Sequence, residues 1–330
     1  MFKFKKKALL AISIATCALG ISTAASAKDF RLGLITPESH IWTQAAKEFS
    51  GNFQEATNNE HKVSIFPAAQ LGSEAQMLQQ LQTGALDMAF LTIAELSNRD
   101  PEVGALYAPY LVESIDQVGE ILESAPAQKI LEALPAKTGV VGLAYGTGGL
   151  RQIVSTKMIE EVGDLKGQKL RITPQEPLQD FYRGLGAAPT ALPLSAVYDA
   201  LNNGQVDATD MDLELIMGLK FYDKAKTVLV SDHMMFPVVG VVSARVWQTL
   251  SDDDKAKIQE LMKQSLAKTL PLYMEKEKQW KQDLLATGTH VKEVGPEFFG
   301  ESLQVWENKW ADKTESLEAL RAVSKQIKNP

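Results

Sequence analysis

Leu81-Gln-Thr-Gly-Ala-Leu-Asp87 and Leu201-Asn-Asn-Gly-Gln-Val-Asp207 are two versions of one phrase, 120 residues apart. In each, an apolar-periodic helix (Met77 to Leu81, Leu194 to Leu201) runs into a glycine that can adopt the left-handed cap conformation. A short apolar strand carrying an acid follows. Two readings are open at this point. Helix-glycine-strand recurs in any α/β protein, and two copies can be coincidence. Alternatively, the chain holds two similar α/β lobes facing each other, with a cleft between them where ligand sites concentrate.

Outward from the first copy, the order is strand, helix, strand, helix. Asp29 to Ile35 reads as a strand ending in the turn-like Thr36-Pro-Glu-Ser-His40. Apolar residues at 41, 42, 45, 46, 49 and 53 predict a helix from about Ile41 to Ala56. His61 to Phe66 alternates like a strand and stops at Pro67, and a second helix opens near Ser73-Glu74. This rhythm belongs to α/β layer architectures. Beyond the second copy, Ser251 followed by Asp252, Asp253 and Asp254 is an N-cap with acids in the first turn. Helical composition then continues to Leu285, interrupted by Pro271. Such a helix, about 45 Å long, could cross both lobes and should bend at the proline. A strand at Thr289 to Val294 and helices near 297–310 and 314–328 finish the chain.

At 330 residues the chain is long enough for two lobes, and 45% hydrophobic with 23% charged residues is the composition of a folded protein. Lys3, Lys5, Lys6 and Lys7 precede an apolar run from Ala8 to Ser22, and Ala25-Ser-Ala27 supplies a small-x-small cleavage pattern. Residues 1–27 therefore read as an export signal cleaved near Ala27, too short to span a bilayer and followed by nothing longer. Cys17, the only cysteine, lies inside it, so the mature chain is expected to be cysteine-free and soluble. Removing four lysines and no acid moves the formal charge from −7 to −11. That balance argues against a nucleic-acid binder, and export lowers the prior for chemistry that consumes cytosolic ATP or NADH.

Catalytic signatures are missing: no Gly-x-Ser-x-Gly elbow, no His-Glu-x-x-His, no Walker loop. The four histidines are dispersed without metal-ligand spacing, and no metal or cofactor is expected. Gly146-Thr-Gly-Gly149 lacks the spacing of a dinucleotide fingerprint and suits a crossover between lobes. Two arginines stand out in this acidic chain. Arg151 follows the glycine-rich segment, and Arg171 lies in the short strand Lys169-Leu-Arg-Ile-Thr173. A guanidinium fork is the natural receptor for a carboxylate; equally, each arginine can pair with a structural acid.

Longer matches decide more. Gly149-Leu-Arg-Gln152, Asp164-Leu-Lys-Gly-Gln-Lys-Leu-Arg-Ile172, Leu185-Gly-Ala-Ala-Pro-Thr190, Pro193-Leu-Ser-Ala-Val-Tyr-Asp-Ala-Leu201 and Gly204-Gln-Val-Asp207 stand in order. Upstream are Phe66-Pro-Ala-Ala-Gln-Leu-Gly72 with Glu74, Leu81 to Asp87, and Ala108-Pro-Tyr-Leu111. Downstream are Lys220-Phe-Tyr222 and Val242-Ser243 with Trp247. Together these resemble the substrate-binding proteins of TRAP transporters, the DctP family.

The resemblance implies an α/β, two-lobed periplasmic-binding-protein-like fold of the Venus-flytrap kind. Lobe I would be residues 28–148 plus 237–276, and lobe II residues 149–236 plus 277–330 with the C-terminal helices. It implies a periplasmic receptor, not an enzyme, that closes by a hinge on a small organic acid and delivers it to TRAP membrane permease subunits. Arg171 would hold the carboxylate, with Arg151 as second contact or support. The loop Thr36 to His40, Glu74 and the neighbourhood of Thr92 would line the cleft. Many relatives carry Gln-Glu-Asn-Pro after the equivalent of Val206-Asp207, where this chain has Ala208-Thr-Asp-Met-Asp212, so Met211 stands where the family has a ligand-contacting asparagine. Asp210 or Asp212 then faces the ligand, a bridging cation included, or simply caps the helix after it. Tyr145 before the crossover and Phe236 in His233-Met-Met-Phe236 complete the candidates, while Trp42 fits a core role. The alternatives are an exported hydrolase using Asp210 and Asp212, and a signalling partner on the same fold. The acid itself, whether sugar, hydroxy, amino or aromatic, is left open.

Overall fold

The computed structural model describes residues 27–329. The export segment read at 1–27, with Cys17, lies outside the described residues apart from Ala27. Among the described residues no helix is long and apolar enough to cross a membrane.

The repeated phrase is a structural repeat. In the first copy, β1 (Asp29–Gly33) pairs in parallel with β2 (Lys62–Phe66) on one side and β3 (Met88–Thr92) on the other. Helix Ile41–Ala56 connects the first pair. Helix Glu74–Thr83 leads to β3 through Gly84, left-handed at φ 79°. In the second copy, β5 (Lys169–Ile172) is flanked in parallel by β6 (Ala188–Ala191) and β7 (Ala208–Asp212). Helix Val197–Asn202 leads to β7 through Gly204 at φ 72°. The two acids do the same work. An Asp87 carboxylate oxygen accepts from Arg31 N at 2.9 Å, and Asp207 accepts from Lys169 N at 2.9 Å. Each thereby ties its strand's entry to the central strand beside it, a backbone donor satisfied by a charge.

The strand between the copies joins them. β4 (Val140–Ser155) pairs antiparallel through its first part with β9 (Met235–Ser243), and through its last five residues with β7. β8 (Thr227–Val230) lies on its other side and pairs with β10 (His290–Glu293). The ten strands form one curled path, β2-β1-β3-β9-β4-β7-β5-β6, with β8 and β10 branching from β4. The β4–β9 register shifts between Thr147 and Leu150, where Gly149 has φ +77°. Only glycine takes that conformation without strain, and a Cβ there would meet the Tyr273 ring at 3.1 Å. The glycine-rich segment is this crossing.

The long C-terminal helix is two helices, Asp252–Ala267 and Thr269–Ala286. Pro271 has no N–H for the Ala267 carbonyl and its ring crowds it, so the ladder breaks at Lys268. Ser251 caps the first helix as expected, its hydroxyl accepting from Asp254 N at 3.0 Å. The first helix packs on helix Ile41–Ala56, the second on helix Leu213–Gly218, and both on β4, so the pair spans both halves. One expectation needs correction. Helix Ser302–Ala311 does pack on helix Glu176–Gly184 of the second half, through Trp306 and Trp310. The last helix, Ser316–Lys328, instead packs on helices Gln117–Glu123 and Ala125–Thr138 of the first. Its apolar stripe, Leu317 and Leu320, joins the first half's core, and Ser324 and Lys328 bond the Leu111 and Tyr110 carbonyls.

Candidate functional site

β7 is central and wholly buried, yet its sequence is Ala-Thr-Asp-Met-Asp. Buried acids on a middle strand must be paired, and the partner is Arg151 on β4, in register opposite Asp212. Arg151 Nε donates to Asp210 Oδ1 at 2.5 Å, Nη2 to the Asp210 carbonyl at 2.7 Å, and Nη1 to Asp212 Oδ2 at 3.1 Å. Its guanidinium lies 4.1 Å from the Phe236 ring centre. Both acids hold it, so its pKa rises despite burial. Asp210 also accepts from Tyr182 Oη at 2.8 Å, with His233 Nε2 at 3.1 Å. Burial pushes its carboxyl up, but Arg151, His233 and Tyr182 more than reverse this and hold it well below the usual range. Asp212 Oδ1 caps helix Leu213–Gly218 by accepting from Leu215 N at 2.9 Å. Burial dominates there and raises its pKa.

Arg171, the other singled-out arginine, is held differently. It sits on β5 with 3% of its surface exposed. Nε donates to the Leu192 carbonyl at 2.9 Å and Nη1 to the Asp210 carbonyl at 3.4 Å. Among the described residues no carboxylate lies within ion-pair distance of it, because Asp210 and Asp212 are engaged by Arg151. Burial, together with Arg151 beside it, pushes its pKa down to about 9 even with Asp210, Asp212 and Glu74 nearby. It is a desolvated cation whose charge the protein does not neutralise locally.

Two neighbouring spaces are lined by Arg171. An inner chamber of about 20 Å³, room for a water molecule or so, is lined by Trp42, Met211, Leu215, Phe236 and Thr92 among others. An outer cavity of about 520 Å³ lies between Glu74, Glu95 and Ala69 of the first half and Pro174, Pro193 and Leu194 of the second. Ile35, Arg171, Thr173 and Leu194 line both. Glu74, on the first turn of its helix, accepts from Thr92 N at 2.6 Å and Thr92 Oγ1 at 2.8 Å. Burial nevertheless raises its carboxyl to about 7.

The two halves also touch across the gap at His40. Its Nδ1 accepts from Trp42 N at 3.1 Å, capping helix Ile41–Ala56, and Nε2 lies 3.2 Å from Glu214 Oε2. Glu214, from the second half, accepts from Ile41 N at 2.8 Å and from Tyr273 Oη. Burial holds His40 down at about 3 and lifts Glu214 to about 7.

Of the residues picked out in sequence, Thr36, His40, Glu74, Thr92, Arg151, Arg171, Met211, Asp212 and Phe236 come together here. Asp210 does not; it turns into the Arg151–Tyr182–His233 network, none of its surface exposed. Tyr145 does not either. Its hydroxyl donates to the Ala127 carbonyl at 3.0 Å, and it lines a separate cavity with Gln128, Gln259 and Lys263. Because β4 alternates sides, a residue six positions before Arg151, across the register shift, need not face the same space. Trp42 is both core and wall: it stacks on Phe236 with centroids 6.2 Å apart and donates Nε1 to the Thr147 carbonyl at 2.7 Å. Glu214, Thr173 and Leu194 were missed. In sequence Glu214 is one more first-turn acid on a helix, with nothing to say that its partner is another helix.

Two alike α/β halves joined through a shared strand, with an unpaired guanidinium in the gap between them, define a two-lobed solute-binding protein. More narrowly, the chain belongs to the bacterial extracellular solute-binding protein family 7, DctP, whose model matches residues 32–316. It is 29% identical over 245 residues to the sialic acid-binding periplasmic protein SiaP of Vibrio cholerae, covering 73% of this chain and 76% of that one. A TRAP periplasmic solute-binding protein from Bradyrhizobium, solved with α/β-D-galacturonate, is 30% identical with TM-score 0.83, covering 92% of this chain and 100% of that one. The sugar acid binding protein DctPAm of Advenella mimigardefordensis, solved with galactonate, superposes with TM-score 0.86 over 91% of this chain and 98% of that one. At 24% identity, that likeness speaks for the fold alone.

Proposed function

We propose that this protein is a periplasmic receptor that captures a small organic carboxylate between its lobes and hands it to a TRAP-type permease. The observation that carries the reading is Arg171: a buried guanidinium facing a cavity, its Nε fixed on the Leu192 carbonyl. A ligand carboxylate would supply the counter-charge that burial and Arg151 make necessary. Arg151 then acts as support, positioned by Asp210 and Asp212. The relatives' named ligands, sialic acid and galacturonate, are carboxylates too.

Residues 28–148 with 237–267 and the last helix act as one lobe, and 149–236 with 277–311 as the other. Closure swings them about β4, β9 and the Lys268 break. Ligand favours the closed form because only there does it touch both lobes. Asp210 and Asp212, the acids a hydrolase would need, are both occupied by Arg151, which favours capture over turnover.

Calorimetric titration with a panel of carboxylates tests the reading. Binding is expected for wild type and is expected to vanish in Arg171→Met, with the acid recovered chemically unchanged. Equal binding by the variant would overturn it.

A further inference from the structure

We infer that the captured acid is a zwitterion, its carboxylate held by Arg171 and a protonated amine at its other end held by Glu74 and Glu95. This rests on the carboxylate-receptor reading above and narrows its ligand class. The outer cavity, at about 520 Å³ roomy enough for a small molecule, carries opposite charges on the two halves. Arg171 belongs to the second half. Glu74, on the first turn of its helix, and Glu95, on the short helix Ile93–Ser97 after β3, belong to the first. Both glutamates are 8% exposed. The ion pairs at the cleft join Arg151 to Asp210 and Asp212 and His40 to Glu214; among the described residues none reaches Glu74 or Glu95.

Glu74 accepts two hydrogen bonds, both from Thr92, and burial still raises its carboxyl to about 7. Glu95 has less. Burial raises it too, with only Arg99 and Asn98, both exposed, working against that, and the Asn98 amide donates to the Pro174 carbonyl at 2.9 Å. These two buried carboxyls lack a cation as Arg171 lacks an anion. Ligand hydroxyls would give them hydrogen bonds but leave their charge uncompensated. A plain carboxylate adds a third negative charge against one positive, and a dicarboxylate a fourth. A zwitterion adds no net charge and sets each sign against its opposite, its ammonium supplying three donors to groups that only accept. Because the guanidinium and the glutamates belong to different halves, one molecule would tie the halves together. The Thr173 and Ser195 hydroxyls and the Gln76 amide nitrogen, unpartnered among the described residues, line the same cavity and are left for polar groups along the ligand's body.

The test is calorimetry of the whole mature protein, cleared of co-purified ligand by unfolding and refolding. The probes are glycine, 3-aminopropanoate, 4-aminobutanoate and 5-aminopentanoate, each set against the unsubstituted acid of the same chain length, with D-galacturonate as the hydroxylated comparator. The best-fitting amino acid is expected to bind at least tenfold more tightly than its plain partner or galacturonate, since charge-assisted bonds are worth on the order of tenfold to a hundredfold. Glu95→Gln, which keeps size and shape and removes the charge, is expected to reduce that ratio at least tenfold. Glu74→Gln, whose amide oxygen can still accept from Thr92 N, repeats the measurement should the first variant fail to fold. A plain acid or galacturonate binding within tenfold of the best amino acid overturns the inference. If Arg171→Met abolishes that binding, the receptor reading survives it. A smaller fall in the ratio in a folded glutamate variant also overturns it, and binding of none of these acids removes both readings.

Discussion

Replacing Arg171 by methionine should make the empty protein more stable while destroying its ability to bind acids. The pKa of Arg171 sits at about 9 against an ordinary 12.5. A base held below its unfolded value withholds stability at every pH beneath the folded value, so at neutrality the whole cost is present. At about 1.4 kcal/mol per unit, the cost is about 4–5 kcal/mol. Methionine keeps the aliphatic stem and removes the charge. It also forfeits the hydrogen bonds to the Leu192 and Asp210 carbonyls, at about 1 kcal/mol each. The net is a gain of about 2–3 kcal/mol, a few degrees in melting temperature for a chain of this size. Urea unfolding followed by circular dichroism reads the first effect. Thermal shift reads the second: wild type should gain about 2.7 kcal/mol at a hundred times Kd, and the variant nothing. An empty Arg171→Met that melts below wild type, with its acid-dependent gain intact, would refute the idea that this cation is stored for a ligand.

Three other measurements bear on the same architecture. Glu214→Ala removes the carboxylate that caps Ile41 N and receives Tyr273 Oη, leaving both donors unpaired; it should cost about 2–3 kcal/mol and lengthen the distance between spin labels placed on the two halves, and an unaltered distance distribution would count against an interlobe role. Stability should fall as pH rises from about 4.5 to about 7, because burial lifts Glu74, Glu214 and Glu277 to about 7 and the native state then binds protons that the unfolded chain has lost. His40, held at about 3, works the other way below pH 6.5, but three acids outweigh one base; a melting temperature no higher at pH 5 than at pH 8 would contradict this. Gly149→Ala should destabilise by about 1–3 kcal/mol, through its positive φ and the Tyr273 ring, as read by denaturant midpoint, and a neutral effect would mean the crossing relaxes freely.

Most of the scaffold was legible because its signals are local. The helix expected from Ile41 to Ala56 has those bounds, and the two glycine-capped phrases became two equivalent strand entries with equivalent acids. What stayed hidden depends on tertiary placement. An amphipathic stripe says that the last helix packs, not on which half, and Leu317 and Leu320 found the first. Pro271 announced a bend, but whether the helix bends or breaks depends on what holds the freed carbonyls. At the site, residue type left each arginine as either an anion receptor or a partner for a structural acid, and only the family resemblance singled out Arg171. Telling which one was already satisfied required Asp210 and Asp212 to be seen turned onto Arg151. Tyr182, which helps fix Asp210, gave no signal: on an amphipathic helix it reads as ordinary core.

β4 is one strand of sixteen residues that pairs with β9 up to and just past its irregularity at Gly149 and with β7 through its last five residues. In the closure proposed above, a torque on either side would be carried through this shared backbone, with the β4 ladders left whole. On that proposal the resting angle would fall to a few bridging side chains such as Glu214 and His40. Selection could retune grip or resting angle by exchanging those few residues, leaving the beam that carries them untouched.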